Sequence, residues 1–228
     1  MSELTSLAGL KRLKSLYVEH STVRDVSPLT GLTSLGNLVL SGTHVSDLTP
    51  LAGLTGLKRL KLDGTQVRDV SPLAGLTSLE HLTLSKTDVS DVSPLARLTS
   101  LEWLWLSETD VSDLIPLAGL TSLKSLDLDR TQVRDVSPLA GLSLKEQWRI
   151  HSDGLKHLSL NETEVSDVSP LAGLVSLRSL YLRDTQVSDV TPLAGLSILT
   201  RLLLSGTHVS NEAVNELRAV LLPQCEIR

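Results

Sequence analysis

The 228-residue sequence predicts an α/β repeat solenoid, a stack of short strand-and-turn units closed at its C-terminal end by a helical cap. Three observations carry that expectation. A short phrase recurs with a strict 22-residue period, 52 leucines stand against no phenylalanine, and each period joins a strand-like alternation to a proline-bearing turn. A core drawn from one side-chain shape is unlike an ordinary globular interior and points to repetition.

The phrase T-x-V-x-D sets the register. Its first position falls at Ser21, Thr43, Thr65, Thr87, Thr109, Thr131, Thr163, Thr185 and Thr207. Every step is 22 residues except that from Thr131 to Thr163, which carries ten more. The organisation expected is a single domain over 1–228. It comprises a partial first repeat (1–10), about nine repeats (11–210) with the insertion inside 143–154, and a C-terminal cap (211–228). No unit of this kind buries its leucines alone, so stability must come from stacking on its neighbours.

Within a unit, Leu123-Lys124-Ser125-Leu126-Asp127-Leu128 alternates as a strand with one buried face does. Ser137-Pro138-Leu139-Ala140-Gly141-Leu142 follows, read as an N-capping serine, a proline at the first helical position and a C-capping glycine. Only Pro116, after Ile115, lacks a preceding Ser or Thr in this slot, and Arg97 is the one internal substitute for the glycine. Such a turn is too short for an α-helix. After Ser210 the phrase breaks into 211–222, with apolar residues at helical spacing (213, 214, 217, 220, 221), Ser210 or Asn211 as N-cap and Pro223 as stop. Cys225-Glu226-Ile227 is then a candidate last strand, with Cys225 a buried filler.

The pattern L-x-x-L-x-L-x-x-[TN]-x-V-x-D-[VL]-x-P-L-A-x-L resembles the 22-residue leucine-rich repeats of bacterial proteins, the internalin-like class, over essentially the whole chain. The resemblance implies a right-handed horseshoe with a curved parallel sheet on its concave face and 3-10 or short helical turns on its convex face. It also implies binding to a protein partner. Two features depart from the class. Threonine, with Ser21 at the first rung, replaces the usual ladder asparagine; a hydroxyl offers one donor where an amide offers two, so a weaker ladder is expected, helped by the recurring Asp47, Asp69 and Asp91. The chain also begins inside a repeat, so either a degenerate unit caps it or it is a fragment of a longer protein.

Composition narrows the function classes. The mean hydropathy of +0.12 excludes a disordered chain, and no apolar run is long enough to span a membrane. One cysteine excludes an internal disulfide framework, and a net charge of −5 gives no reason to seek nucleic acid. Met1-Ser2-Glu3 shows no leader, so a cytoplasmic monomer is expected, with export the alternative if a leader precedes this sequence.

Comparison between repeats locates the candidate site. The convex phrase is nearly constant, whereas the non-leucine strand positions vary. The position before the second strand leucine runs Ser15, Asn37, Arg59, His81, Trp103, Ser125, His157, Ser179, Arg201. The next runs Tyr17, Val39, Lys61, Thr83, Trp105, Asp127, Ser159, Tyr181, Leu203, and the third Glu19, Ser41, Asp63, Ser85, Ser107, Asp129, Asn161, Arg183, Ser205. Four of the five aromatic residues fall in these columns. Trp103 and Trp105 point the same way about 7 Å apart and, flanked by Ser85, Ser107 and Ser125, are expected to stand out as partner anchors; mutual covering is the alternative. Arg59 and Lys61 on one side and Asp127, Asp129 and Arg183 on the other form a bipolar strip roughly 25 Å long, able to set a partner's register. Trp148, in the insertion, is a further candidate contact, as is His81.

Chemistry is not expected. His81 and His157 lie three rungs, about 14 Å, apart, too far for one metal. Asp127, Asp129 and Asn161 offer too few oxygens for Ca²⁺. No nucleophile-base pair converges and no phosphate loop exists, so no catalytic residue, metal or cofactor is assigned. The expectation is a non-enzymatic protein-interaction module binding through its concave face. The alternatives are a recognition segment of a larger signalling or effector protein and an engineered array without natural ligand.

Overall fold

The computed structural model describes residues 4–142, 154–221, 223 and 225–228. Nine three-residue strands recur at the predicted positions: β1 Ser15–Tyr17, β2 Asn37–Val39, β3 Arg59–Lys61, β4 His81–Thr83, β5 Trp103–Trp105, β6 Ser125–Asp127, β7 His157–Ser159, β8 Ser179–Tyr181 and β9 Arg201–Leu203. A tenth, β10 (Glu226–Ile227), closes the sheet. All pair in parallel and in chain order, with equivalent residues opposite one another (Leu60↔Leu82, Leu82↔Leu104). This in-register stacking follows from the fixed period, because each residue meets its own copy one repeat away.

The middle leucine of each strand points inward, and from Leu38 to Leu202 these are fully buried. The leucines and valines of the turns join them in one continuous core. Short 3-10 turns such as Ser71–Leu73 and Ser93–Arg97 return the chain. Helix α1 (Asn211–Val220) covers the last rung with Leu217, and the Ser210 hydroxyl accepts from the Ala213 N–H at 3.1 Å, as the capping pattern predicts. Cys225 is half-buried and burial pushes its thiol pKa up.

Three local expectations need correction. The serine before proline is not the cap: it occupies the first turn position, and the aspartate two residues earlier accepts its backbone N–H. Asp25 does so for Ser27 at 2.7 Å, and Asp47 for Thr49, Asp91 for Ser93 and Asp189 for Thr191 at 2.8 Å. A carboxylate reaches the free N–H groups that a serine already inside the turn cannot. The L-A-G-L glycines are not left-handed caps either. Positive φ is found instead just after each strand from β1 to β9, at His20, Gly42, Gly64, Lys86, Glu108, Arg130, Glu162, Asp184 and Gly206, and in the turn slot at Gly31 of the variant phrase L-T-G-L. A Cβ on Gly53 or Gly75 would meet nothing within 4 Å, which explains why Arg97 fits that slot.

Finally, the threonines form no ladder between repeats. Each hydroxyl donates back to a carbonyl three residues earlier, Thr65 to Leu62 and Thr109 to Leu106, both at 2.6 Å. Repeats are joined there by backbone bonds such as Gln66 N–H to Val45 O at 2.9 Å. Side chains crossing from rung to rung lie instead at the strand ends. Asp63 accepts from the Ser41 hydroxyl at 3.2 Å and the Thr83 hydroxyl at 2.5 Å, and Asp129 accepts from the Ser159 hydroxyl at 2.5 Å and the Asn161 N–H at 2.8 Å.

Candidate binding face

The outward positions of the strands form one continuous face. The candidate residues divide on it into a packed row, a set of free side chains, and carboxylates engaged with the backbone.

The packed row joins β3, β4 and β5. The His81 and Trp103 rings stack with centroids 4.0 Å apart and planes 8° from parallel. The Arg59 Nη2 lies 3.4 Å from His81 Nε2, and the Lys124 ammonium sits 5.5 Å from the Trp103 ring centroid, a cation–π distance. Burial, then the Arg59 charge, pushes the His81 pKa below its ordinary value, so the imidazole is neutral at pH 7 and suited to stacking and to accepting from Arg59. Trp103 is therefore half-buried in a stack with His81. It neither stands free nor covers its strand neighbour.

Trp105 is different. Its side chain is 41% exposed, and among the described residues it makes no ring stack. Among the described residues, Lys61 and Arg183 likewise place their side chains on this face without a hydrogen bond or ion pair. Tyr181 is half-buried, and its hydroxyl accepts from Arg201 Nη1 at 3.3 Å. The face is also open at β1, where Tyr17 is 64% exposed.

The acidic end of the expected bipolar strip is muted. Asp127 is half-buried; it accepts from the Asp129 N–H at 3.0 Å and from Ser107, and burial pushes its carboxyl above the usual carboxylate range. Asp129 is engaged with Ser159 and Asn161, so neither carboxylate projects freely. Trp148 lies outside the described residues. Among the described residues no three His, Cys, Asp or Glu side chains gather to hold a metal, and no helix is long and apolar enough to cross a membrane.

One column escaped the sequence reading. The position before each strand from β1 to β9 runs Lys14, Gly36, Lys58, Glu80, Glu102, Lys124, Lys156, Arg178, Thr200 along the sheet edge. Lys58 pairs with Glu80 at 2.8 Å and Glu102 with Lys124 at 2.6 Å, whereas Lys156 and Arg178 make no ion pair among the described residues. The signal was present as three successive cations, but only the columns inside the strand were read.

An open parallel sheet with one leucine-lined core and 3-10 returns defines a leucine-rich repeat solenoid. Residues 99–141 and 153–195 match the family described as leucine-rich repeats (two copies). No curated protein matches the chain. An internalin (inlF) of Listeria monocytogenes is 30% identical with a TM-score of 0.79, the alignment covering 100% of this chain and 72% of that one. An internalin C2 of the same organism is 36% identical with a TM-score of 0.74, covering 80% and 76%. A Leptospira interrogans leucine-rich repeat protein shares the fold at 22% identity and a TM-score of 0.89, covering 100% and 57%. The chain belongs to the bacterial internalin-like leucine-rich repeat proteins and has their horseshoe fold. Proteins of this kind are in general non-enzymatic interaction scaffolds, and the chain is a protein-interaction module.

Proposed function

We propose that the chain binds a protein partner through the concave face of its sheet, with Trp105 as the principal anchor. The observation that carries this reading is the exposed indole of Trp105 on a sheet whose core is aliphatic and whose fold has no use for it. Trp is the side chain most often found to dominate interface energies, at about 2 kcal/mol or more when a partner covers it. Trp103 serves as the rigid wall beside it, held by His81 and Lys124. Lys61, Arg183 and Tyr181 supply adjustable polar contacts on either side, and Arg59 orients His81. Ten strands spaced about 4.8 Å apart give a face roughly 40 Å long, enough for a standard interface of about 800 Å² per partner.

The test is affinity capture from the source organism with three baits: wild type, Trp105→Ala, and Ile115→Ser on the convex side, where Ile115 is 70% exposed. A partner retained by wild type and Ile115→Ser but lost by a folded Trp105→Ala is expected. Equal capture by Trp105→Ala, or loss through Ile115→Ser alone, overturns the assignment.

A further inference from the structure

The edge of the sheet over β7 to β9 gathers basic side chains on successive rungs. Lys156 and Arg178 sit on adjacent rungs, about 4.8 Å apart, and among the described residues neither has an ion-pair or side-chain hydrogen-bond partner. His157 is exposed beside them, and Arg201 completes the group one rung further on. The His157 imidazole is pushed below its ordinary pKa by burial and then by Arg178, Lys156 and Arg201, in keeping with their neighbouring rungs. Arg201 alone meets an acid, Glu226 at 3.3 Å. On the earlier rungs of the same column every cation between β3 and β6 is matched, Lys58 with Glu80 and Lys124 with Glu102. In a protein of net charge −5, Lys156 and Arg178 thus hold two adjacent rungs whose positive charge no carboxylate among the described residues pairs with.

From this we infer that the basic edge formed by Lys156, His157, Arg178 and Arg201 docks an acidic segment of the protein partner. The docking rests on the concave-face binding proposed above and adds to it the chemistry of the ligand. A short cluster of carboxylates fits and a long polyanion does not. The patch spans only about 10 Å; on the earlier rungs of the edge Glu80 and Glu102 already hold Lys58 and Lys124, and across the face Glu162 holds Arg130. A uniformly charged strand extending past the patch finds the next cations of the edge already paired, whereas a polypeptide places its acids over the patch and neutral or aromatic residues over Trp105, two rungs from His157. Complementary charge at such a position sets register and speeds encounter.

The experiment measures fluorescence anisotropy of a labelled peptide of alternating glutamate and glycine with an amidated C-terminus. It is compared with its glutamine counterpart, with the same glutamate peptide ending in a free carboxylate, and with oligothymidine of equal length. The amidated glutamate peptide is expected to bind at low ionic strength and the glutamine peptide not to bind. Lys156→Gln/Arg178→Gln weakens binding roughly tenfold, two ion pairs' worth. Arg24→Gln/Arg97→Gln, which removes the same charge from exposed positions elsewhere, leaves it within about twofold, a shift too small to count as lost ion pairs. The peptide carries no apolar or aromatic side chain for Trp105, so failure here and failure of the Trp105 anchor are read separately. Equal effects of the two double variants, or equal binding of glutamate and glutamine peptides, overturn the inference. Binding confined to the free-carboxylate peptide reassigns the patch to a chain end, and tighter binding of oligothymidine, lost in Lys156→Gln/Arg178→Gln, reassigns it to nucleic acid.

Discussion

Two tryptophans separated by one leucine have opposite roles because of what lies 22 residues away on either side. Trp103 has His81 as its neighbour on β4, a flat ring that stacks on it, whereas Trp105 has Thr83 and then Asp127 opposite it, neither of which is a ring. The stack therefore belongs to the fold. A double-mutant cycle with His81→Ala and Trp103→Ala should give a coupling of about 0.5–1.5 kcal/mol, read from urea midpoints; a coupling near zero would dissolve the pair. The stack also carries a pH dependence. Folding lowers the His81 pKa, so its contribution is present above the ordinary value of 6.5 and is lost as pH falls through the lowered folded value. His157 has the same sign. Wild type should thus lose more stability between neutral and mildly acidic pH than His81→Gln does. Asp127 has the reverse sign: its raised pKa gives a contribution present below 3.8 that is lost as pH rises through the folded value. Asp127→Asn keeps an oxygen for the Asp129 N–H and should hold or raise stability at pH 7; a drop in the thermal midpoint would show that the charge itself is needed.

At the level of the repeat, the turn is secured by two side chains with separate tasks. The aspartate covers the open N–H groups of the 3-10 turn, and the threonine, buried at positions such as Thr109, ties the loop after the strand to its own repeat. Thr109→Val keeps the shape but leaves the Leu106 carbonyl without its side-chain donor, and should cost about 1 kcal/mol of unfolding free energy; an unchanged urea midpoint would show the bond to be dispensable. The serine and threonine hydrogen bonds hold Asp25, Asp47, Asp91, Asp135 and Asp189 below the usual carboxylate range, so their contribution is present above pH 3.8 and disappears as pH falls through the lowered values. Strand positions, turn positions and the helical cap were legible in the sequence because period and alternation alone determine them. The capping aspartate was misread as a capping serine, since both residues suit a cap and only the backbone path shows which lies inside the turn. The concave side chains were legible as a list and not as a network. Whether Asp129 projects or bonds to Asn161 depends on a residue 32 positions away across an insertion, and no local rule reports that.

Over the whole molecule, stability is a sum of stacked interfaces, so it varies along the solenoid with how completely each rung is covered. Between β2 and β9 every inner strand leucine has a neighbour above and below and is fully buried. At the β1 end Leu7, Leu13 and Leu16 are only partly buried and Leu10 is 47% exposed, whereas the β9 end is closed by α1 and β10 through Leu217, Leu221 and Ile227. The two ends are therefore unequal in energy although the repeats are nearly equal in sequence. Leu104→Ala, in the middle, should cost about 2–5 kcal/mol, because its cavity is walled by two repeats that cannot collapse into it. Leu10→Ala removes a half-wet side chain and should stay within about 0.5 kcal/mol. The same asymmetry governs opening. Local unfolding begins where fewest apolar contacts are lost, so amide protection should climb from β1 toward β5 and stay high through β9. Hydrogen exchange resolved by peptide checks this directly. Equal protection of β1 and β5 would mean that the chain opens as one cooperative unit, and faster exchange at β9 than at β1 would mean that the helical cap contributes less than its buried leucines imply.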